Sequence, residues 1–177
     1  QDREVAEDTR CRATGTTAFT VADGDGNIVA VTQTLGTWGG NFYVTPGLGF
    51  LYNDKLRSYR TDPNAYGARL PYARNGTSIA PTLVFEGTGS EQRPSFAVAA
   101  AGNAWITSAV YQILVAMVDH GIGPQDALEL PRFLVRSTRG SEAGREVVVQ
   151  LEDGFSPDVI RGLSRLGHDY QLISLPG

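Results

Sequence analysis

Apolar and polar positions alternate with a period of two at the front of the chain. From Thr16 to Ala22, Thr16, Ala18, Thr20 and Ala22 fall on one side and Thr17, Phe19 and Val21 on the other, the pattern of a half-buried strand. Asp23-Gly24-Asp25-Gly26-Asn27 follows, with the residues that tolerate positive φ in a tight connection. Ile28 to Leu35 then resumes a strand pattern, so 16–35 predicts a hairpin. Residues 36–49 hold five glycines and Pro46, too many breakers for a strand and suited to a shaped loop over a pocket. Phe50-Leu51-Tyr52 predicts a short strand, and 60–76 a polar surface excursion. Ser78 to Phe85 predicts a strand interrupted near its start by Pro81, and Pro94 to Ala101 another of small residues.

The period changes to helical from Gly102 to Gly121, where Ile106, Ala109, Val110, Ile113, Leu114, Met117 and Val118 share a face and Gly121 terminates. Pro124 to Leu130 predicts a short helix stopped by Pro131. Val147 to Leu151 predicts a strand. Ser156 and Pro157, as N-cap and first helical residue, open a helix through Leu166. Tyr170 to Leu175 predicts a last strand. Strands first, then two helices, then strand–helix–strand favour an α+β layered fold over a doubly wound sheet.

Composition narrows the function. The chain has 177 residues, 41% hydrophobic and 19% charged, with a formal net charge of −4. These values suit one globular domain or part of a larger one and give no electrostatic reason to expect nucleic acid or an anionic membrane as partner. The basic residues are all Arg except Lys55. The single Cys11 excludes an internal disulfide and a multi-thiolate site. With His120 and His168 far apart, no metal is expected, and no cofactor. No apolar run is long enough to span a membrane. Gln1 to Arg12 is charged and has no apolar core, so a signal peptide is not expected there. The chain starts without Met, as a processed or partial chain would, and the cytoplasm is favoured over secretion. Asp23 to Asn27 looks like a calcium loop by letters but lacks the downstream Glu. Asn75-Gly76-Thr77 is a glycosylation sequon by letters only. Arg132 is expected in a structural salt bridge.

The Gly15-Thr16 start carries the candidate chemistry. If the chain is cut before Thr16, one residue holds both a hydroxyl nucleophile and an α-amine base. A strand Thr with no such role is the plain alternative.

Several blocks, in order from Gly15 to His168, resemble the small-subunit half of the gamma-glutamyltranspeptidase family. They are Thr16-Thr17-x-Phe19-Thr20-Val21-x-Asp23, Asp25-Gly26-Asn27-x-Val29-Ala30-Val31-Thr32-x-Thr34-Leu35, Gly49-Phe50-Leu51-x-Asn53, and Thr77-Ser78-Ile79-Ala80-Pro81-Thr82. Gln112, Asp119, Gly121, Ala127 and Pro131-Arg132-Phe133 resemble the family's following helices, and Gly167-His168 a Gly-His near its end. The resemblance implies a four-layer αββα N-terminal nucleophile hydrolase, of which this chain is the C-terminal, small-subunit part. Residues 1–15 would be the tail of the upstream subunit and 16–177 the catalytic part. It implies self-cleavage at Gly15–Thr16, a large subunit from the same precursor as partner, and a small-molecule acyl substrate. Thr16 would be the nucleophile, Thr34 its neighbour, and Gly102 with Asn103 the oxyanion hole.

Departures from the family pattern cluster where a gamma-glutamyl group would be held. Ala18 stands where His is usual, Gly36 where a polar Asn or Glu is usual, and Ser58 where an acid would bind the α-amine. Lys55 replaces a polar residue, Thr77-Ser78 a double serine, and Gly102-Asn103 a glycine pair. A buried ammonium needs an anionic partner, and Ser58 supplies none. Gly36, Lys55, Ser58, Thr77 and Ser78 therefore predict a pocket for an anionic or neutral acyl group, with Trp38, Phe42 and Tyr43 as ring-stacking candidates. Such a pocket fits a non-glutamyl acyl substrate, including one cleaved at an amide or carbon–carbon bond beside a carbonyl in specialised-metabolite biosynthesis. An ordinary glutathione hydrolase or transpeptidase and an uncleaved, non-catalytic scaffold are the alternatives.

Overall fold

A computed structural model describes residues 15–139 and 145–174. The expected irregular segment 1–15 lies outside the described residues except for Gly15. The strands are β1 Thr16–Ala22, β2 Ile28–Thr34, β3 Thr82–Glu86, β4 Arg93–Val98, β5 Phe133–Arg139, β6 Arg145–Glu152 and β7 Asp169–Ile173. The helices are α1 Trp105–Val118, α2 Pro124–Glu129 and α3 Pro157–Arg165. The chain divides into two compact units, 1–107 and 108–177, with the division inside α1.

In the first unit, β1 and β2 form the expected antiparallel hairpin, with Thr16 directly opposite Thr34 and Ala22 opposite Ile28. Asp23 shapes its turn: Oδ1 accepts from the N–H groups of Asp25 at 3.0 Å and Asn27 at 2.9 Å, and Oδ2 from Asn27 Nδ2 at 2.7 Å. These bonds hold the Asp23 carboxyl below its ordinary pKa, the Asn27 side chain contributing most. Thr16, Ala18, Ile28, Ala30, Thr32 and Thr34 share the half-buried face, while Phe19, Val21 and Val29 are exposed. β2 lies against β3 and β4, themselves an antiparallel pair with a register shift at Val84/Phe85.

Three expectations for this unit shift. Phe50-Leu51-Tyr52 makes one bridge, Leu51 to Val44, and no strand, because Gly47 and Gly49 just before it adopt positive φ. The strand expected from Ser78 begins at Thr82 instead. Thr77 Oγ1 accepts from the Ile79 N–H, Ser78 Oγ donates to the distant Asn103 carbonyl, and Pro81 has no N–H to pair. The helix expected from Gly102 starts at Trp105, since Gly102 and Asn103 have φ of +127° and +59°.

In the second unit, β5, β6 and β7 form one sheet in that order, β5–β6 antiparallel and β6–β7 parallel. α3 supplies the crossover between the parallel strands. Ser156 caps α3, its hydroxyl accepting from Val159 N–H at 3.4 Å, with Pro157 in the first turn. β5 was not expected: Pro131-Arg132-Phe133 resembled a helical stretch, yet Phe133 opens a strand. The Gln112 amide explains its start, donating to Phe133 O at 2.8 Å and accepting from Phe133 N–H at 3.0 Å, as a neighbouring strand would. Arg132 forms the expected salt bridge, Nε to Glu152 Oε2 at 2.9 Å. Among the described residues, Ala109, Val110, Ile113 and Ala116 of α1, with Ala127, Val149 and Leu151, are the buried apolar side chains of this unit.

Candidate active site

The hairpin register builds the centre of the site. Directly opposed residues of an antiparallel pair project side chains to one face, so Thr16 and Thr34 meet there. Thr16 Oγ1 donates to Thr34 Oγ1 at 2.9 Å. Thr34 Oγ1 also accepts from Gly36 N–H at 3.0 Å. A hydroxyl that accepts from an amide becomes a better donor itself, so the Thr34 hydroxyl is equipped to donate to an oxygen beside it.

Both hydroxyls open on a cavity of about 250 Å³ lined by Thr16, Thr34, Gly36, Lys55, Arg57, Ser58, Thr77, Ser78, Ile79, Asn103 and Ile106. The structure thus gathers eight of the residues singled out in the sequence. Among the described residues, no carboxylate lines this cavity, and two cations do. Arg57 is partly neutralised, its Nε lying 3.2 Å from Asp54 Oδ2. Lys55 has no carboxylate within salt-bridge distance among the described residues. It also lines a second cavity of about 460 Å³ with Asn53, Leu56, Tyr59, Arg69, Leu70 and Asn75. Ile106, 1% exposed, and Ile79 are the apolar residues of the first cavity's lining.

Gly102 and Asn103 form the turn that leads into α1. Asn103 accommodates the left-handed conformation, which Asn tolerates better than most residues. Its carbonyl accepts from Ser78 Oγ at 2.6 Å, and Thr107 Oγ1 donates to Ser78 O at 3.1 Å. Thr32 Oγ1 donates to Ala100 O at 3.4 Å, tying the Thr16 hairpin to the segment just before this turn. Among the described residues, the N–H groups of Gly102 and Asn103 have no acceptor. Asn103 lines the cavity and Gly102 does not.

Ser78, expected as a substrate contact, donates its hydroxyl proton to the Asn103 carbonyl and lines the cavity. Trp38, Phe42 and Tyr43 do not line it: Trp38 and Phe42 pack with ring centroids 6.0 Å apart, and Tyr43 packs on Tyr52 at the same separation. His120 and His168 are also absent from the lining. Sequence reading missed Arg57, Ile79 and Ile106. Arg57 lies in the 3-10 turn Lys55–Ser58, two residues beyond Lys55, and a tight turn is the signal that would have linked them.

Asp54 was also missed. Its Oδ2 accepts from Thr37 Oγ1 at 2.7 Å and its Oδ1 from Thr37 N–H at 3.3 Å. The Thr37 hydroxyl chiefly holds the Asp54 carboxyl below the ordinary range, with the Thr37 amide and Arg57 adding and burial opposing. Gly36 has φ +99°, and a Cβ there would overlap Asp54 Oδ1.

Residues 2–175 match the model of the family described as Gamma-glutamyltranspeptidase. The chain is 30% identical over 155 residues to a glutathione hydrolase proenzyme of Bacillus subtilis subsp. natto, covering 88% of this chain and 24% of that protein. It is 32% identical over 153 residues to the acylase ACY 1 proenzyme of a Pseudomonas species (strain V22), covering 86% of this chain and 25% of that one. The chain therefore spans about a quarter of the length of these relatives. A crystal structure of the Helicobacter pylori gamma-glutamyltranspeptidase superposes with a TM-score of 0.72 at 24% identity, covering 89% of this chain and 84% of that chain.

Proposed function

This chain belongs to the gamma-glutamyltranspeptidase family, with its α+β, N-terminal nucleophile hydrolase fold, and from that premise we propose that it is the catalytic part of a self-processing threonine-nucleophile acyl hydrolase or transferase. The observation that carries the proposal is the Thr16–Thr34 hydroxyl pair at 2.9 Å, at the first residue of β1, facing the cavity. In the precursor, Thr16 Oγ1 attacks the Gly15 carbonyl carbon. The ester formed by N-to-O shift hydrolyses and leaves Thr16 with a free α-amine. That amine, with a pKa of about 8, takes the Thr16 hydroxyl proton in each later turnover. Thr34 donates to the resulting alkoxide. The Asn103 N–H, with that of Gly102 beside it, serves the oxyanion. A large subunit from the same precursor completes the enzyme.

We further propose that the acyl donor lacks an α-ammonium. Ser58 and Gly36 offer no anionic partner, and Lys55 and Arg57 disfavour a third cation beside them. An acyl group ending in a carboxylate fits the same wall. This favours the acylase-like relative over the glutathione hydrolase as the guide to chemistry.

Thr16→Ala in the full-length precursor tests the mechanism, with intact mass, N-terminal sequencing and turnover as readouts. The expected result is an uncut chain without turnover. Turnover by that variant would overturn the mechanism. Glutaryl and gamma-glutamyl p-nitroanilides compared on the mature wild type test the donor, with glutaryl expected to have the higher kcat/KM.

A further inference from the structure

One turn touches both sides of the bond that self-processing would cut. Gly36 N–H is aimed at Thr34 Oγ1, and Thr34 meets the Thr16 hydroxyl. The next residue, Thr37, presses on Gly15: a Cβ at Gly15 would lie 2.6 Å from Thr37 O and 2.9 Å from Trp38 N. The Gly36–Thr37 turn therefore sets the attacking oxygen through Thr34 and crowds the residue whose carbonyl is attacked.

Asp54 locks that turn. Its two oxygens take the Thr37 N–H and hydroxyl, its backbone N–H donates to Leu35 O at 2.8 Å, and Arg57 faces its outer edge. The carboxylate also fills the space that a side chain at position 36 would need. We propose that Asp54 is a positioning residue for self-processing, fixing the turn that holds Thr16 Oγ1 and the Gly15 carbonyl in attacking geometry. The inference rests on the self-processing reading above. Asp54 acts through Thr37, Gly36 and Thr34, and reacts with nothing. Its weight falls on the maturation step. Before the cut the turn constrains both reacting groups; afterwards Gly15 is no longer joined to Thr16, and only the contact through Thr34 remains. Small losses of alignment between reacting groups cost large factors in rate.

The test uses the full-length precursor with Asp54→Ala, Asp54→Asn, Thr37→Val and the Thr16→Ala control. First-order self-cleavage is followed by gel and intact mass, kcat of the matured enzyme with glutaryl p-nitroanilide, and folding by thermal melting. Asp54→Ala is expected to slow self-cleavage by about tenfold or more and to lower mature kcat by no more than about threefold. Asp54→Asn should recover most of the cleavage rate, because its amide oxygen still accepts from Thr37 N–H and its NH₂ donates to Thr37 Oγ1. Wild-type cleavage by Asp54→Ala, or equal losses in cleavage and kcat, would overturn the inference. If Asp54→Ala does not fold, Thr37→Val decides by the same split, because it removes the hydroxyl contact and keeps the amide. A wild-type precursor that stays whole removes the self-processing reading itself, and this inference with it; a cut wild type beside an uncut Thr16→Ala upholds that reading whatever the Asp54 variants do.

Discussion

Replacing Thr34 with Val separates a hydrogen bond from the volume that makes it. Val matches Thr in shape and branching, so the hairpin register, with position 34 opposite Thr16, is retained. What disappears is the oxygen 2.9 Å from Thr16 Oγ1 and 3.0 Å from Gly36 N. In the attack step Thr16 Oγ1 gains negative charge, and a hydrogen bond to a charged group contributes about 1.5–3 kcal/mol. At about 1.4 kcal/mol per decade, that predicts a fall in kcat of roughly tenfold to somewhat above a hundredfold. The interaction strengthens as charge develops, so KM should hold nearly constant while kcat and kcat/KM fall together. The Gly36 N–H also loses an acceptor, which costs about 1 kcal/mol and a few degrees of Tm. Thr34→Ser restores the oxygen and should recover most of kcat. Steady-state kinetics of the matured enzyme, with melting curves for each variant, make the measurement. A Thr34→Val enzyme within twofold of wild type in kcat would refute the reasoning and leave Thr34 a strand residue.

Other outcomes follow from the same geometry. Ser58→Asp should raise kcat/KM for gamma-glutamyl over glutaryl p-nitroanilide, by supplying the carboxylate an ammonium requires; an unchanged ratio would show that position 58 does not control donor choice. Gly36→Asn, the obvious second step toward a gamma-glutamyl pocket, should instead lower Tm and slow self-cleavage, because its Cβ overlaps Asp54 and its φ is +99°, and a variant as stable as wild type would count against that packing. Arg132→Ala leaves the half-buried Glu152 without its cation and should cost about 1–3 kcal/mol, read by chemical denaturation. Asp54 titrates below its ordinary range when folded, so its contribution is full above the unfolded-state pKa and declines as pH falls through the folded one. The Tm difference between wild type and Asp54→Asn should accordingly stay constant from neutrality to about pH 4 and narrow below it; a gap that persists unchanged in strong acid would contradict this.

Much of this was legible in the sequence because it is local. The β1–β2 hairpin follows from period-two alternation around a Gly- and Asp-rich turn, α1 from its apolar spacing, and the start of α3 from Ser156-Pro157. Each signal lies within a few residues of the element it sets. The cavity lining was legible only through resemblance, since Thr16, Lys55, Ser78 and Asn103 are brought together by tertiary packing. β5 was hidden because Arg136 and Arg139 interrupt its apolar pattern, and because what orders its first residue is the side chain of Gln112, 21 positions earlier. Asp54 was hidden for the same reason. Its partner Thr37 is 17 residues away, and neither residue type announces the other. The aromatics at 38–43 misled because composition records that rings are present, not which way they face.

The turn at Asp23–Asn27 lies at the far end of the hairpin from Thr16, yet its length governs which side chain Thr16 meets. Strand side chains alternate strictly, so pairing shifted by one residue sends every side chain of the moved strand to the opposite face. A single-residue insertion between Gly24 and Gly26, if absorbed as a slip of β2, would still leave a hairpin with seven-residue strands. Its secondary structure would pass any spectroscopic check. It would also set Thr16 opposite Gln33 in place of Thr34, and the shared hydroxyl bond could not form. For anyone who recombines segments among these proteins or grafts loops onto this scaffold, the length of that surface turn belongs to the chemistry as much as the threonine does.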